Sequence, residues 1–277
     1  MVGVIVPNYN YAWCLPERLT SILSQGEAVG KLIFLDDAST DDSMAVAEPI
    51  LSRFPCPVSI LRNAENSNSV FRQWARGVEM NDLPFTWIAE ADDSAEPGML
   101  DALARRLVKD ESAFLAFSDS IPIGPDGEVL GESSRSYAAA MGDHALDRDM
   151  IFSARDFVAR CLCPRNLVVS ASAVVWRTEV LRAALQRLGG EISRWRCAGD
   201  WRIYLEAAAG GGTTYYDARA LNRHRRNHGG VTHSTPRPRH FAEVVEMHAV
   251  LRTLIGRRQD EQMRIHLGDL RRLWGLG

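Results

Sequence analysis

Short apolar segments alternate with amphipathic segments through residues 1–120 of the chain. The apolar segments have the length of strands, and the predicted strands cover residues 2–7, 31–37, 57–63, 85–93 and 113–120. The intervening segments carry apolar residues at helical spacing, and the predicted helices cover residues 15–25, 39–54, 69–80 and 97–110. This alternation predicts an α/β protein whose mostly parallel sheet is covered by helices on both faces.

The composition is that of an ordinary globular protein, with 46% hydrophobic and 24% charged residues. The formal net charge of -3 argues against nucleic acid as a partner. Five cysteines without CxxC spacing predict neither a disulfide framework nor a zinc site. No apolar run approaches the roughly 18 residues of a membrane span, so we expect a cytoplasmic protein, with the inner face of the cell membrane as the alternative. Because the first predicted strand begins at Val2, we expect that the chain was cut from a longer polypeptide.

Polar clusters follow the first four predicted strands. They read PNYN at 7–10, DDASTDD at 36–42, RNAENSNS at 62–69 and EADD at 90–93. Parallel sheets bind their ligands beyond the carboxyl ends of the strands, so the clusters are predicted to line one edge of the sheet. The sequence therefore predicts a single binding site there.

The second half of the chain is less regular. Residues 119–152 contain the turn signal GPDGEV and are predicted to form a loop region over the site. A helix, a strand and two helices follow, predicted at residues 153–162, 166–177, 178–188 and 200–212. From Phe241 onward we expect two amphipathic helices broken near Gly256. These helices could pack on the rest of the chain, which is the default expectation, or rest on a membrane surface or a neighbouring domain.

Three carboxylates, those of Glu90, Asp92 and Asp93, stand at the end of the fourth predicted strand. Carboxylates this close repel one another unless a cation or hydrogen-bond donors compensate, and oxygen ligands suit Mg²⁺ or Mn²⁺ shared with a diphosphate. The alternative is that Asp92 or Asp93 caps the turn before Pro97. Three other polar strand ends nearby favour the metal-diphosphate interpretation.

These segments, in this order, resemble the family 2 glycosyltransferases, which are inverting enzymes with a GT-A fold. The resemblance covers roughly residues 2–235 and is carried by VIVPNYN, LIFLDDASTDDS, RNAENSNSVFRQWARG, WIAEADD, AGDWRIYLEAA and LNRHRRNHGGVTH. The greatest similarity is to bacterial enzymes that build polysaccharide and lipopolysaccharide O-antigen chains. The resemblance implies transfer of a hexose or deoxyhexose from a nucleotide sugar, an activity of the EC 2.4 class.

The resemblance also implies residues for the nucleotide-sugar site. Those carried over for the nucleobase, the ribose and the border of their pocket are Pro7, Tyr9, Asp36, Asp37, Arg62 and Asn63. The DxD-type metal motif of the family falls on Glu90, Ala91 and Asp92, with Asp93 beside it. Glu90 replaces the usual Asp, so Asp92 is the predicted ligand of Mn²⁺ or Mg²⁺.

The predicted catalytic base is Asp200. The family places its base in an acidic motif at the start of a helix, commonly Glu-Asp, and here Gly199 stands in place of the first acid. Asp200 could alternatively be a helix N-terminal residue favoured by the dipole. Because that dipole lowers the pKa of a carboxyl group, burial beside Trp201 is expected to keep Asp200 basic enough to act.

The basic segment RHRRNHGG at 223–230 resembles the Arg/His segment that closes over the diphosphate in this family. Arg226 and His228 are the predicted contacts, and a solvated basic loop is the alternative. Trp74, Trp87 and Trp176 fall at apolar-periodic positions and are predicted to lie in the core.

The predicted function is inverting transfer of a sugar from a nucleoside-diphosphate donor to a saccharide or lipid-linked saccharide, in bacterial surface polysaccharide synthesis. A nucleotide-sugar-binding half is predicted at residues 1–115, an acceptor-binding and catalytic half at 116–235, and a helical extension at 236–277. A glycosyltransferase-like module that binds nucleotide sugar or glycan without turnover is the alternative. A dinucleotide-dependent oxidoreductase is disfavoured because no GxGxxG follows the first strand. dTDP-rhamnose, UDP-sugars and GDP-mannose all remain open as donors.

Overall fold

The structure is a computed structural model that describes residues 1–139, 144, 146–226, 230 and 234–276. Nine strands within these residues join one sheet in the order β3-β2-β1-β4-β8-β6-β9-β5, with β7 paired to β9. The α/β architecture predicted from the alternation of segments is confirmed.

The first half of the sheet is parallel, because β1 pairs in parallel with both β2 and β4, and β2 with β3. Its strands are β1 (Val2–Asn8), β2 (Val29–Asp36), β3 (Val58–Arg62) and β4 (Phe85–Ile88). The helices that follow them in turn are α1 (Leu15–Leu23), α2 (Ser43–Leu51), α3 (Val70–Met80) and α4 (Met99–Lys109). The carboxyl ends of these four strands therefore meet at one edge.

The second half of the sheet mixes parallel and antiparallel pairs. Its strands are β5 (Ser94–Ala95), β6 (Ala113–Ile123), β7 (Met150–Ser153), β8 (Val174–Arg177) and β9 (Thr213–Arg225). The remaining helices are α5 (Arg135–Ala139), α6 (Ala154–Cys161), α7 (Thr178–Leu188), α8 (Gly199–Ala208), α9 (Arg237–Ile255) and α10 (Asp260–Trp274). The predicted break near Gly256 is confirmed, since Gly256 ends α9 with φ of 68°.

Several sequence-based predictions of elements were wrong in part, and one long strand was missed. The strand predicted at 85–93 is reduced to β4 (Phe85–Ile88). The predicted strand at 166–177 is reduced to β8, because a 3₁₀ turn at Ala171–Ala173 precedes it. The predicted loop region at 119–152 contains the end of β6 as well as α5 and β7. The long strand β9 was not predicted, because its buried polar residues hide the alternation: Asn222, for example, donates a hydrogen bond to Ser120.

The core consists of two hydrophobic clusters that contain alternate residues of the central strands. In β1, Ile5 belongs to one cluster and Val4 and Val6 to the other, as the two-residue period of a strand requires. The prediction that Trp74, Trp87 and Trp176 lie in the core is confirmed.

The C-terminal helices pack on the rest of the chain, as expected by default. Val244, Met247 and Leu251 of α9 and Met263 of α10 are buried in the same cluster as Ile5. None of the helices in the described part of the chain is long and apolar enough to cross a membrane. The predicted boundary between residues 115 and 116 falls within β6, and the division into halves stays a prediction.

Candidate active site

A cavity of about 830 Å³ opens at the carboxyl ends of the parallel strands. The predicted site residues that line it are Pro7, Tyr9, Asp37, Glu90, Asp92, Asp93 and Asp200. These residues come from the ends of β1, β2 and β4 and from the first turn of α8. The predicted common site at this edge of the sheet is therefore present as one cavity.

The cavity lining within the described residues does not include Asp36, Arg62 or Asn63. The buried carboxylate of Asp36 accepts a hydrogen bond from Asn8 Nδ2 at 2.9 Å and pairs with the Arg62 guanidinium at 3.3 Å. The side chain of Asn63 donates to Asp37 at 2.5 Å. These residues hold the loops after β1 and β2 in place.

Asp37 lies in the cavity wall and is held by several donors. Its carboxylate accepts hydrogen bonds from Asn63 Nδ2, from Gln73 Nε2 at 2.9 Å, and from both the backbone N–H and the hydroxyl of Ser67. Nearby, three buried atoms of cavity-lining residues have no partner within the described structure: Asn8 Oδ1, Ser69 Oγ and Gln73 Oε1. Buried polar groups without partners in the protein are groups that a bound ligand can satisfy.

Glu90, Asp92 and Asp93 form an acidic cluster on the wall after β4. Burial, together with repulsion from Asp92, raises the pKa of Glu90 to about 8. Burial and repulsion from Asp93 raise the pKa of Asp92 to about 7. Carboxyl groups whose ionisation is opposed in this way are suited to a cation.

The members of the acidic cluster differ in their partners. Glu90 accepts a hydrogen bond from the indole Nε1 of Trp74 at 2.7 Å. Asp93 is buried and accepts from the Ser170 hydroxyl at 2.7 Å and from the Arg225 backbone N–H at 2.9 Å. Asp93 thus ties the segment after β4 to β9 in addition to lining the cavity.

Two buried arginines behind the acidic cluster were not predicted. Arg18 is fully buried on α1 and donates to the Glu90 carbonyl at 2.7 Å and to the Ser172 hydroxyl at 2.8 Å. Arg225 donates to the Asp92 carbonyl at 2.8 Å, to the carbonyls of residues 124 and 125, and to Glu17. A signal for Arg18 existed, since it shares the helical face of Leu15, Leu19 and Ile22, where a charge needs buried partners.

Asp200 stands in the first turn of α8 and is half-buried in the cavity wall. Its carboxylate accepts hydrogen bonds from the Trp201 backbone N–H at 2.7 Å and from Asn166 Nδ2 at 3.1 Å. Burial raises the pKa of Asp200 to about 7, and this outweighs the lowering by the hydrogen bonds. The neighbouring Trp201 is buried, with 4% of its surface exposed.

Gly199 leaves room for an aromatic ring. A Cβ atom at this position would lie 2.2 Å from Cε2 of Phe71, which projects from α3. The Phe71 ring in turn packs edge-on against Trp74, with the ring centroids 5.2 Å apart. The absence of an acid at residue 199 is therefore explained by the packing of α3 against the start of α8.

The basic segment at 223–230 is divided among different environments. Arg223 pairs with Glu96 at 2.7 Å, His224 lines the cavity, and Arg225 is buried as described above. Arg226 is exposed, and its backbone N–H donates to the Ile123 carbonyl at 2.8 Å. Within the described residues the cavity lining does not include Arg226. The predicted contact His228 lies outside the described residues.

Aromatic side chains at the cavity were also missed. Trp13 lines the cavity with 53% of its surface exposed, and the guanidinium of Arg225 lies 5.7 Å from the centre of its ring. Trp195 lines the cavity from the segment before α8 and is buried. Exposed aromatic rings of this kind are platforms for apolar faces of a ligand.

This fold is shared with solved structures that bind nucleotide sugars. The S. aureus TarS fragment 1–349 in complex with UDP-GlcNAc matches with a TM-score of 0.68 at 16% identity, over 90% of this chain and 66% of that one. The mannosyltransferase PcManGT from Pyrobaculum calidifontis, in complex with GDP-Man and Mn²⁺, matches with a TM-score of 0.63 at 17% identity, over 90% and 63%. At these identities the likeness establishes the fold, and the predicted GT-A fold is confirmed.

The chain belongs to glycosyl transferase family 2, whose family model matches residues 3–161. The family predicted from the ordered motifs is thereby confirmed. A curated relative, the uncharacterized glycosyltransferase YibD of Escherichia coli strain K12, is 26% identical over 208 residues. That match covers 67% of this chain and 57% of YibD, so the chain spans little more than half the length of this relative.

Proposed function

We propose that this chain is an inverting glycosyltransferase that moves a sugar from a nucleoside-diphosphate donor to a hydroxyl group of a saccharide or lipid-linked saccharide. The observation that carries the proposal is one cavity lined by Asp37, the acidic cluster and Asp200. Family membership and the nucleotide sugars bound by TarS and PcManGT support the same class of donor. Surface polysaccharide synthesis in a bacterium is the proposed context.

Asp200 is the proposed base. The acceptor oxygen attacks the anomeric carbon as the bond from that carbon to the diphosphate oxygen breaks, and the nucleoside diphosphate leaves with the electron pair. The carboxylate of Asp200 takes the proton of the acceptor hydroxyl. A base whose pKa lies near the working pH is both ionised and basic enough, which supports this role for a group with a pKa of about 7.

The donor nucleotide is proposed to lie between the β1 and β2 ends. Tyr9 is 42% exposed and offers a ring to the nucleobase, while the unpartnered atoms of Asn8, Ser69 and Gln73 offer hydrogen bonds. Asp37 is proposed to border the base and the ribose. Asp36, Arg62 and Asn63 are proposed to hold the loops that border this pocket through the contacts described above.

The acidic cluster suits Mn²⁺ or Mg²⁺. Within the described residues no three carboxylate, thiol or imidazole groups converge on one point, so Asp92, assisted by Glu90, would share the ion with phosphate oxygens of the donor. A divalent ion bound there neutralises charge that develops on the leaving diphosphate. Arg226 and His228 are proposed to neutralise the charge on the leaving diphosphate as well when the donor is bound.

Substitution of Asp200 tests this function. Release of nucleoside diphosphate is measured from a panel of UDP-, GDP- and dTDP-sugars with Mn²⁺, with and without saccharide acceptors. Asp200→Asn should reduce transfer by about 10² to 10⁴-fold, the usual contribution of a general base, with donor binding nearly unchanged. The control Asp101→Asn changes an exposed carboxylate on α4 that pairs with Arg105 and should leave transfer unchanged.

Two results would contradict the proposal. Ordinary turnover by Asp200→Asn would remove Asp200 from the mechanism. Donor binding by the wild-type chain without release of nucleoside diphosphate from any donor and acceptor pair would favour the non-catalytic binding module instead.

A further inference from the structure

The start of α8, which carries Asp200, is held from outside the helix. The backbone N–H of Arg196 donates to Glu243 Oε1 at 2.9 Å, and those of Cys197 and Ala198 donate to Glu243 Oε2 at 2.8 and 2.9 Å. Glu243 lies on α9 and is 7% exposed. These three N–H groups belong to the segment that leads into α8, whose N-cap is Ala198, and Glu243 is their acceptor.

The same helix contacts the other segment that bonds to Asp200. Asn166, which donates to the Asp200 carboxylate, stands two residues after Pro164. The Nε2–H of His248 on α9 donates to the Pro164 carbonyl at 2.7 Å, and His248 is fully buried. Helix α9 therefore holds both of the peptide segments that flank the carboxylate of Asp200.

We propose that Glu243 is a positioning residue for Asp200, and that α9 thereby orients the carboxylate of Asp200 in the active site. The inference rests on the proposed function in so far as Asp200 is the base. Three hydrogen bonds donated to one buried carboxylate fix the peptide that precedes Asp200, and so they fix the direction of its side chain. A misplacement of about 1 Å can cost roughly a hundredfold in rate.

Charge gives Glu243 a second effect on the base. The titratable groups that face Asp200 are Glu243 on α9, Tyr204 on α8 and Cys197 before α8, while neutral Asn166 donates to its carboxylate. Glu243 itself pairs with Arg239 of the same helix at 3.6 Å. The negative charge of Glu243 adds to burial in raising the pKa of Asp200. It also offsets the positive end of the α8 dipole, which would otherwise favour the ionised, less basic carboxylate.

The first test compares Glu243→Gln with Glu246→Gln. Glu246 lies on the exposed side of the same helix and pairs with Arg194 at 2.6 Å, so it is a matched control. Glu243→Gln keeps the shape of the side chain and loses its charge. We expect kcat to fall roughly ten- to hundredfold, donor KM to stay within about twofold, and the acidic limb of the kcat profile to move to lower pH. A kcat and a pH profile equal to those of Glu246→Gln would overturn the proposal.

A second test detects the contact between Glu243 and residues 196–198 without an activity measurement. Hydrogen exchange in Glu243→Gln and Glu243→Ala should be faster at the amides of residues 196–198 than in wild type, with the amides of α4 unchanged as a reference. Unchanged protection of residues 196–198 would overturn the proposal. If Asp200→Asn loses transfer while Glu243→Gln keeps it, the positioning role fails and the proposed function stands. Full activity of Asp200→Asn would overturn both.

Discussion

The side chain of Asp200 combines a half-buried position with few donors. It accepts hydrogen bonds from the Trp201 N–H and from Asn166, and these favour its ionised form less than burial opposes it. The carboxylate of Asp37 accepts hydrogen bonds from a larger set of donors, which belong to Asn63, Ser67 and Gln73. The two carboxylates therefore differ in their surroundings although they line the same cavity.

The raised pKa of Asp200 predicts an acidic limb in the rate profile. Because only the ionised carboxylate accepts a proton, kcat at saturating donor and Mn²⁺ should fall about tenfold per pH unit below pH of about 7. An aspartate with its ordinary pKa near 3.8 would place the limb some three pH units lower. The measurement is kcat between pH 5 and 9 in buffers of constant ionic strength, and a profile that stays flat down to pH 5 would contradict it.

One hydrogen bond, from the indole of Trp74, affects both the pKa and the position of the Glu90 carboxylate. The bond from Trp74 Nε1 reaches the Glu90 carboxylate at 2.7 Å and partly offsets the rise of its pKa. The longer glutamate side chain can accept this bond while its carboxylate stays at the cavity wall. Glu90, which stands in place of the usual Asp, is therefore hydrogen-bonded to an indole donor on α3.

At the scale of elements, α3 and α8 approach each other at Gly199. The Phe71 ring fills the space where a Cβ atom at residue 199 would stand, and Asp200 follows directly. A displacement of Phe71 would press on Trp74 and through it on Glu90. The close approach of the two helices therefore links the start of α8, which carries Asp200, to the acidic cluster.

Gly199→Ala should destabilise the fold and lower activity. The added methyl group forces Phe71 to move, and overpacking of this kind costs about 1–3 kcal/mol of unfolding free energy, against a gain in helix propensity of at most about 1 kcal/mol. The control Gly268→Ala lies inside α10 with no heavy atom within 4 Å of the added Cβ, and it should be neutral or stabilising. Urea denaturation measures both variants. Equal stability of the two would contradict the packing argument.

At the scale of the whole molecule, one sheet brings most of the candidate site residues together. The ends of β1, β2 and β4 bring Tyr9, Asp37 and the acidic cluster to one cavity, and α8 brings Asp200 to the same place. The charges of Arg18 and Arg225 partly offset the mutual repulsion of the acidic cluster, which lines the cavity. Folding therefore brings carboxyl groups from distant parts of the chain to one cavity, and those of the acidic cluster are the groups proposed to bind the ion.

Divalent ions should stabilise the whole molecule in the presence of nucleoside diphosphate. A ligand at about 100 times its dissociation constant adds about 2.7 kcal/mol to the free energy of unfolding. Thermal unfolding of the wild-type chain is measured with Mn²⁺ plus UDP, GDP or dTDP, and again with EDTA. The same measurements are made on Asp92→Asn, and Asp101→Asn is the control variant. We expect a rise in Tm for one nucleotide that EDTA and Asp92→Asn abolish, and suppression of transfer by EDTA that Mn²⁺ restores. Full activity in EDTA would contradict the metal role of Asp92.

Much of the fold could be predicted because its signals are local. The two-residue alternation in β1, the helical spacing of Leu15, Leu19 and Ile22, and the order of strands and helices are visible within short windows. The family and the shared edge of the sheet followed from that order together with the polar strand ends. Parallel strands bring their carboxyl ends together regardless of detail, so Asp37 and Asp92 were predicted at one edge. Asp200 lies on α8 and was predicted only because its motif resembles that of the family.

The contacts that adjust those residues join distant parts of the chain. Arg225 reaches the Asp92 carbonyl from 133 positions away, and the Glu243 carboxylate meets the Ala198 N–H from 45 positions away. No periodic pattern marks such pairs, since they depend on the angles at which β9 and α9 pack. Local chemistry places carboxylates at the edge of the sheet, whereas packing in three dimensions sets their pKa values, their partners and their directions, because burial and charge act through space.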